Sequence, residues 1–232
     1  MRNGRLGTLP AMDIVIAGAH GKIARLLAPR LVADGHRVRG LIRNPDHARD
    51  LEADGTVPVV CDLEAAEASE VEAVVAGAGA IVFAAGAGPG SSAERKWTVD
   101  HGAAKKLIDA AVALGVRRYV IVSSIGADAP PQDDEIFSTY LRAKAQADAD
   151  LVAAKLDHTI IRPVHLVDDA GRGCVDVGEH VERGQVSRDD VAAVIATVIG
   201  DARTYRRTFE LTGGDHPIDE VPALVEAIAP DA

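Results

Sequence analysis

The segment Asp13–Ala24 reads DIVIAGAHGKIA, and the rest of the chain is organised around it. Its apolar run Ile14–Ala17 predicts a short buried strand. The residues that follow, Lys22–Leu31, carry apolar side chains at helical spacing and predict an amphipathic helix. The sequence therefore predicts a strand, a tight turn and a helix whose amino end faces that turn.

The turn itself has the spacing Gly18-x-x-Gly21-x-x-Ala24. Gly18 allows the tight turn, Gly21 lets a pyrophosphate approach the backbone, and Ala24 is small enough for close packing of helix on strand. The N–H groups and the dipole of the helix would bind an anion at this point. We interpret the motif as a dinucleotide-binding turn, and an ordinary glycine turn in an α/β protein is the alternative.

Strand-like and helix-like segments alternate along most of the chain. Apolar runs predict strands at residues 14–17, 36–42, 57–60, 80–83, 119–122, 159–162 and 208–211. Helices are predicted at residues 22–31, 46–53, 64–76, 94–114, 137–155, 188–199 and 218–229. Residues 165–184 are expected to be irregular. This alternation predicts the α/β class, as a single Rossmann-type, doubly wound parallel sheet with helices on both faces.

We expect one domain over residues 12–232, with small C-terminal segments on the substrate side. A flexible N-terminal arm, residues 1–11, would precede it. Met12 stands directly before the first strand and is an alternative start of translation.

Composition excludes several classes of function. The chain carries 35 acidic and 25 basic residues, a formal net charge of −10, so we expect no nucleic-acid binding, which needs a basic face. No apolar segment approaches the length of a membrane span, and the N-terminus lacks the apolar core of a signal peptide, so no membrane association is expected. The scarce cysteines, Cys61 and Cys174, lack metal-ligand spacing and fit a reducing cytosol, so we expect a cytoplasmic protein without a metal site.

The end of the second predicted strand indicates the cofactor. About twenty residues beyond the glycine turn, NAD-binding folds usually place an acidic residue on the ribose 2′-hydroxyl. This chain has Arg43 there. A guanidinium group can bind the 2′-phosphate of NADP through two N–H donors, so NADP is favoured over NAD. The alternative is a solvated loop arginine. Asp62 could accept a hydrogen bond from the adenine amino group while Leu63 packs on the ring, or Asp62 could be a plain turn residue.

Eight segments occur in a characteristic order along the chain: GAHGKIA, LIRNP, CDL, VFAAG, YVIVSSIGA, YLRAK, TIIRP and SRDDVAAV. In this succession the chain resembles the short-chain dehydrogenase/reductase superfamily. Specifically, it resembles the small atypical branch of NAD(P)H-binding, NmrA-like proteins, which are often labelled NAD-dependent epimerase/dehydratase. The resemblance runs from Met12 to the end of the chain.

The resemblance implies a set of cofactor-binding residues. They are Gly18, Ala19, His20, Gly21, Lys22 and Ile23 in the phosphate loop, Arg43 as the NADP-selecting residue, Asp62 and Leu63 at the adenine, Ala84, Ala85 and Gly86 along the ribose and pyrophosphate, Ser123 at the end of the fifth strand, and Pro163, Val164 and His165 beside the nicotinamide.

Tyr140 and Lys144 have the Tyr-x-x-x-Lys spacing of the superfamily, which puts both side chains on one face of a helix. An ammonium stabilises a phenolate, so Tyr140 could exchange a proton with a substrate oxygen as hydride moves. Lys144 would also hold the nicotinamide ribose, and Ser124, or else Ser123, would orient the substrate oxygen. The alternative is a packed tyrosine ring beside a solvated lysine.

One departure from the superfamily pattern concerns the fourth helix. An asparagine often stands there to support a proton relay, whereas this chain reads Val99-Asp100-His101-Gly102. Asp100 or His101 could substitute for it, or could have surface or capping roles.

Together these features predict an NADP(H)-dependent oxidoreductase that transfers hydride to a small carbonyl, quinone or flavin-like acceptor. A sugar-type epimerase or dehydratase uses the same hydride step and stays open. The rival class is a non-catalytic NADP(H)-sensing regulatory protein that binds a protein partner. A homodimer through exposed helices is a further expectation.

Overall fold

The polypeptide from residue 10 to residue 231 is described by a computed structural model. Residues 1–9 of the predicted N-terminal arm lie outside the described residues. The strands are β1 (Asp13–Ala17), β2 (Arg37–Ile42), β3 (Val57–Val60), β4 (Ala80–Phe83), β5 (Arg118–Val122), β6 (Asp157–Pro163), β7 (His165–Val167), β8 (Cys174–Gly178), β9 (Gln185–Ser187), β10 (Arg207–Gly213) and β11 (His216–Pro217). The helices are α1 (Lys22–Ala33), α2 (Ala48–Ala53), α3 (Ala68–Val75), α4 (Ala93–Arg95), α5 (Ala104–Leu114), α6 (Ile136–Ala153), α7 (Arg188–Val198) and α8 (Val221–Glu226), with a π-helical segment, Lys96–Ala103, joining α4 to α5.

Nine of these strands form one sheet in the order β11-β8-β10-β6-β5-β4-β1-β2-β3. The seven strands from β3 to β10 in this order pair in parallel, whereas β8 and β11 join antiparallel at one edge. A separate pair, β7 and β9, is also parallel. Each edge strand of the large sheet contains a proline, Pro58 in β3 and Pro217 in β11.

Helices cover both faces of the sheet because its central strands are apolar on both sides. In β1, Ile14–Ala17 is completely buried, as expected for a parallel strand between two helical layers. One face packs on α1 and α7 through side chains such as Leu27 and Ile195. The opposite face packs on α3 and α5 through side chains such as Val71 and Leu107. The predicted fold class, a doubly wound Rossmann-type sheet, is confirmed.

The strand order reverses beside β1, and this reversal positions the site. β1 pairs with β2 on one side and with β4 on the other. The helices that follow β1 and β4, α1 and α5, lie on opposite faces of the sheet, so a crevice is left between them at the strand ends. Ligands of doubly wound sheets bind in this crevice, outside the carboxyl ends of the strands.

The expectation of irregular structure at residues 165–184 is wrong, because β7 and β8 lie within it. The β8 segment CVDVG contains no aromatic and no long aliphatic residue. It forms by antiparallel pairing with β10, where Val177 stands opposite Leu211. Because β8 is stabilised by residues far along the chain, its own sequence shows only a weak strand pattern.

Three predicted helices differ from the observed ones by more than one or two residues or in helix type. The helix predicted at 94–114 is continuous but becomes π-helical over Lys96–Ala103. The helix predicted from residue 64 starts only at Ala68, because Glu67 and Glu70 form a reciprocal capping box at its amino end. The last predicted helix is reduced to α8 and one preceding 3-10 turn, Ile218–Glu220.

Residues 10–231 contain no helix that is both long and apolar enough to cross a bilayer. Over the same range, no group of three or more histidine, cysteine, aspartate or glutamate side chains is arranged to hold a metal ion. Cys61 and Cys174 are free and half-buried.

Candidate dinucleotide site

The glycine turn after β1 brings two backbone segments into close contact. Gly18 has a φ of +75°, and a Cβ atom at this residue would lie 2.6 Å from the Cα of Ala85. Gly21 donates its N–H to the Gly18 carbonyl at 2.8 Å and then opens α1 as its N-cap. Because glycine caps this helix without a side chain, the N–H groups of its first turn are available to an anion.

A groove of about 310 Å³ begins at this turn and follows the carboxyl ends of four neighbouring strands, β1 to β4. Ten of the predicted cofactor residues line it: Gly18, Ala19, His20, Gly21, Arg43, Asp62, Leu63, Ala84, Ala85 and Gly86. The structure therefore brings the phosphate loop and the predicted adenine and ribose residues to one continuous surface. The uncapped N–H groups at the start of α1 suit a pyrophosphate, and glycine is needed at Gly18 because a Cβ there would collide with Ala85, just after β4.

The remaining predicted cofactor residues lie outside the lining of this groove. Lys22 pairs with Asp168, which also accepts a hydrogen bond from Arg188 at 2.6 Å. Ile23 packs into the core beneath α1. The segment at the end of β6 is divided: Pro163 and Val164 are buried, whereas His165 is exposed and begins β7.

His20 in the phosphate loop has two local contacts. Its ring stacks on that of His47 with the centroids 3.7 Å apart, and its Nε2 lies 2.8 Å from Asp50 Oδ2. The hydrogen bond from His20 lowers the pKa of Asp50. These contacts fix the ring beside the groove, between the phosphate loop and α2.

At the end of the groove where the adenosine is predicted to bind, Arg43 is 57 % exposed, and its Nη1 lies 3.4 Å from Glu64 Oε2. The same carboxylate oxygen lies 2.7 Å from Arg95 Nη2. The hydrogen bond from Arg95 lowers the pKa of Glu64. Sequence reasoning missed Glu64 and Arg95, which both line the groove; the only available signal was the position of Glu64 directly after Asp62-Leu63.

Tyr140 and Lys144 lie on the same face of α6, as predicted from their spacing. The Lys144 Nζ atom is 5.9 Å from the centroid of the Tyr140 ring. It donates to the Val122 carbonyl at 3.0 Å and to the Ala85 carbonyl at 3.4 Å. Lys144 is buried and Tyr140 is half-buried. The lysine therefore joins the helix that carries the tyrosine to the strand ends that border the groove.

Asp100 occupies the region where the superfamily often has an asparagine. It is completely buried, with Oδ1 at 3.4 Å from Lys144 Nζ and Oδ2 accepting the Ala87 N–H at 3.1 Å. His101 instead pairs with Asp150 at 2.8 Å, away from the lysine. Of the two suggested substitutes, Asp100 is the one that contacts the site.

The two serines at the end of β5 have different partners. The Ser123 hydroxyl donates to Oδ2 of Asp148, a residue of α6, at 2.9 Å. Burial raises the pKa of Asp148, and the neighbouring Arg162 opposes this shift. The Ser124 hydroxyl donates to the carbonyl of Ile125 at 3.2 Å. Within the described residues the Ser124 hydroxyl is therefore engaged only by the adjacent residue, whereas the Ser123 hydroxyl is held by a carboxylate of α6.

Comparison with known proteins agrees with this geometry. A sequence family described as NAD(P)H-binding matches residues 18–202. The Bacillus subtilis protein YhfK, named as an uncharacterized sugar epimerase, is 36 % identical over 211 residues, which cover 90 % of this chain and 98 % of YhfK.

Two solved structures are also similar. A Bacillus halodurans protein, described as a candidate NAD-dependent epimerase/dehydratase, superposes with a TM-score of 0.86 at 35 % identity, over 92 % of this chain and 100 % of that one. ChuY, an anaerobilin reductase of Escherichia coli O157:H7, has a TM-score of 0.71 at 27 % identity, over 88 % of this chain and 98 % of ChuY. Because the family match and the relatives span most of the chain, this protein belongs to the NAD(P)H-binding family within the atypical, NmrA-like short-chain dehydrogenases/reductases.

Proposed function

We propose that this protein is an NADP(H)-dependent oxidoreductase that transfers hydride to a small carbonyl, quinone or flavin-like acceptor. The observation that carries the proposal is the position of Lys144. Its Nζ atom lies 3.4 Å from the carbonyl of Ala85, a residue that lines the dinucleotide groove, and 5.9 Å from the ring of Tyr140. One side chain thus connects the cofactor groove to a potential proton donor.

The cofactor, when bound, supplies a hydride to the acceptor carbon. Tyr140 would donate the proton of its phenol to the substrate oxygen as that oxygen gains negative charge. Two ammonium groups stand near the ring and would stabilise the phenolate left behind, since Lys96 Nζ is 5.4 Å and Lys144 Nζ is 5.9 Å from its centroid. The Ser124 hydroxyl would hold the same substrate oxygen.

NADP is supported over NAD by Arg43 at the adenosine end of the groove. A guanidinium can bind a 2′-phosphate through a planar fork of donors. Isothermal titration with both nucleotides tests this preference, with Arg43→Ala expected to weaken NADP binding more than NAD binding. If NAD bound the wild type at least as tightly as NADP, the argument from Arg43 would be lost.

The test of catalysis is NADPH oxidation with carbonyls, quinones and flavins, using wild type and Tyr140→Phe. We expect the variant to lose about 10²- to 10⁴-fold in rate on carbonyls, the usual contribution of a positioned acid. Flavin reduction should change little, because hydride alone must move. Tyr205→Phe is the control, because it removes the same hydroxyl group from a tyrosine outside the proposed site. The Tyr205 ring packs against Arg118, whose Cζ lies 4.6 Å from the ring centroid. Equal carbonyl reduction by wild type and Tyr140→Phe would remove Tyr140 from the mechanism.

A sugar-type epimerase or dehydratase is the second candidate, and the likeness to YhfK of Bacillus subtilis favours it. Such an enzyme uses the same tyrosine and returns the hydride within one catalytic cycle. Conversion of a nucleotide sugar without net consumption of NADPH would support this candidate against the reductase.

A non-catalytic NADP(H) sensor is the rival from another class. The pairing of Lys144 with Asp100 favours it, because a lysine charge that is already balanced stabilises a phenolate less strongly. NADP binding without turnover of any acceptor, together with a protein partner whose capture depends on NADP, would support the sensor.

A further inference from the structure

Three charged side chains from separate elements meet at the adenosine end of the groove. Glu64 Oε2 lies 2.7 Å from Arg95 Nη2 and 3.4 Å from Arg43 Nη1. All three residues line the groove. The carboxylate of Glu64 thus stands between two guanidinium groups, at the end where Arg43 would receive a 2′-phosphate.

The position of Glu64 is fixed by its surroundings. Its N–H donates to Asp62 Oδ1 at 3.1 Å, and Lys106 Nζ donates to the carbonyl of Glu64 at 3.0 Å. Its Oε1 atom accepts a hydrogen bond from the Thr98 hydroxyl at 2.7 Å. The side chain is only 26 % exposed. These contacts hold the carboxylate against the two arginines and distinguish it from a freely moving surface glutamate.

The charges of this cluster act on the two cofactors in opposite ways. A 2′-phosphate between Arg43 and Arg95 would compete with the Glu64 carboxylate, which contacts one nitrogen of each guanidinium group, and the carboxylate repels a second anion. A ribose 2′-hydroxyl can instead donate to the same carboxylate. The arginines therefore favour NADP, and Glu64 favours NAD.

We propose that Glu64 is an internal counter-ion that competes with the 2′-phosphate for Arg43 and Arg95, and so determines how strongly the protein prefers NADP over NAD. Arg95 is then a second ligand of the 2′-phosphate. The inference rests on the proposed function in one respect, namely that a nicotinamide dinucleotide occupies the groove.

The test is isothermal titration of wild type, Glu64→Gln and Arg95→Ala with NADP⁺ and with NAD⁺. We expect Glu64→Gln to raise the ratio of NADP⁺ to NAD⁺ affinity by about tenfold, because it removes a like charge from the phosphate site. We expect Arg95→Ala to lower the affinity for NADP⁺ while changing that for NAD⁺ by less than about threefold. Glu94→Gln is the matched control, because it removes the same charge from an exposed residue adjacent to Arg95.

The outcomes separate this inference from the proposed function. If every variant binds both nucleotides and Glu64→Gln leaves the affinity ratio unchanged, the counter-ion role is wrong and the proposed function stands. The same conclusion follows if Glu94→Gln shifts the ratio as much as Glu64→Gln. If folded wild type binds neither nucleotide, the proposed function fails and the inference fails with it. Glu64→Ala provides a second variant with the same expected shift if Glu64→Gln does not fold.

Discussion

Lys144 Nζ lies 3.4 Å from Asp100 Oδ1, and both side chains are almost completely buried. The lysine comes from α6 and the aspartate from the π-helical segment Lys96–Ala103. The other oxygen of Asp100 accepts the N–H of Ala87, just beyond the end of β4. A buried ion pair therefore joins two helical elements to the strand end that borders the dinucleotide groove.

The first prediction concerns this ion pair. Lys144→Ala should leave Asp100 buried without a counter-ion and lower the free energy of unfolding by about 3–5 kcal/mol, as measured by urea denaturation. Lys105→Ala is the control, because Lys105 forms an exposed pair with Asp109 in one helix, and its loss should change stability by at most about 0.5 kcal/mol. Similar small losses in both variants would show that the buried pair contributes little.

The second prediction concerns the glycine turn. Gly18→Ala would place a Cβ atom 2.6 Å from Ala85 Cα, so we expect the turn to shift and NADP affinity to fall by at least about tenfold. Gly35→Ala is a matched control, with a φ of +89° and nothing within 4 Å of the added Cβ. It should lose only about 1–2 kcal/mol of stability and bind NADP normally. Wild-type affinity in Gly18→Ala, measured by titration, would contradict the tight contact.

The third prediction concerns Tyr119 in β5. Its side chain is fully buried, burial raises its pKa, and among residues 10–231 its hydroxyl has no hydrogen-bond partner. Tyr119→Phe removes this unsatisfied group and should raise the free energy of unfolding by about 1 kcal/mol. Urea denaturation measures the change, with Tyr119→Leu as a control that opens a cavity and destabilises the protein. A less stable Tyr119→Phe would mean that the hydroxyl has a partner in the native protein.

The fourth prediction is a pH dependence at Asp148. Because burial raises its pKa in the folded state, the folded protein binds this proton more tightly than the unfolded chain does. The resulting stabilisation is complete below the ordinary aspartate pKa and is lost as the pH rises through the raised value. Wild type should therefore lose stability relative to Asp148→Asn as the pH rises over this window.

Urea denaturation at a series of pH values measures this dependence, and Asp157 provides a control of opposite sign. The hydrogen bond from Arg117 lowers the pKa of Asp157, so its stabilisation is present above its ordinary pKa and is lost as the pH falls through the lowered value. A stability difference between wild type and Asp148→Asn that does not vary with pH would contradict a raised pKa.

Structural features that depend on neighbouring residues could be predicted from the sequence. The apolar run before Gly18 and the helix after Gly21 depend on neighbouring residues, and they predicted the central strand and the turn that opens the groove. The alternation of strands and helices then predicted a parallel sheet with helices on both faces, joined by right-handed crossovers. Because parallel strands end at the same edge, Arg43 and Asp62 could be assigned to one surface before their contacts were known.

Features that depend on distant partners were not predictable. β8 forms because it pairs with β10 in antiparallel orientation, whereas its own sequence pattern is weak. Arg95 and Glu64 are 31 residues apart, and no local pattern connects them. Asp100 was weighed as a substitute for the superfamily asparagine, but its burial against Lys144 depends on the packing of α6 on the π-helical segment. Ion pairs of this kind depend on the tertiary structure and leave no local signal in the sequence.

The prolines in the two edge strands have a consequence for self-association. Pro58 in β3 and Pro217 in β11 lack the N–H that a further strand would need as a partner. Addition of a strand at Pro58 or at Pro217 is thus disfavoured, which helps to protect the folded chain against edge-to-edge aggregation. If two copies form a dimer, as the sequence suggested, we expect them to meet through helices, with each sheet ending within its own subunit.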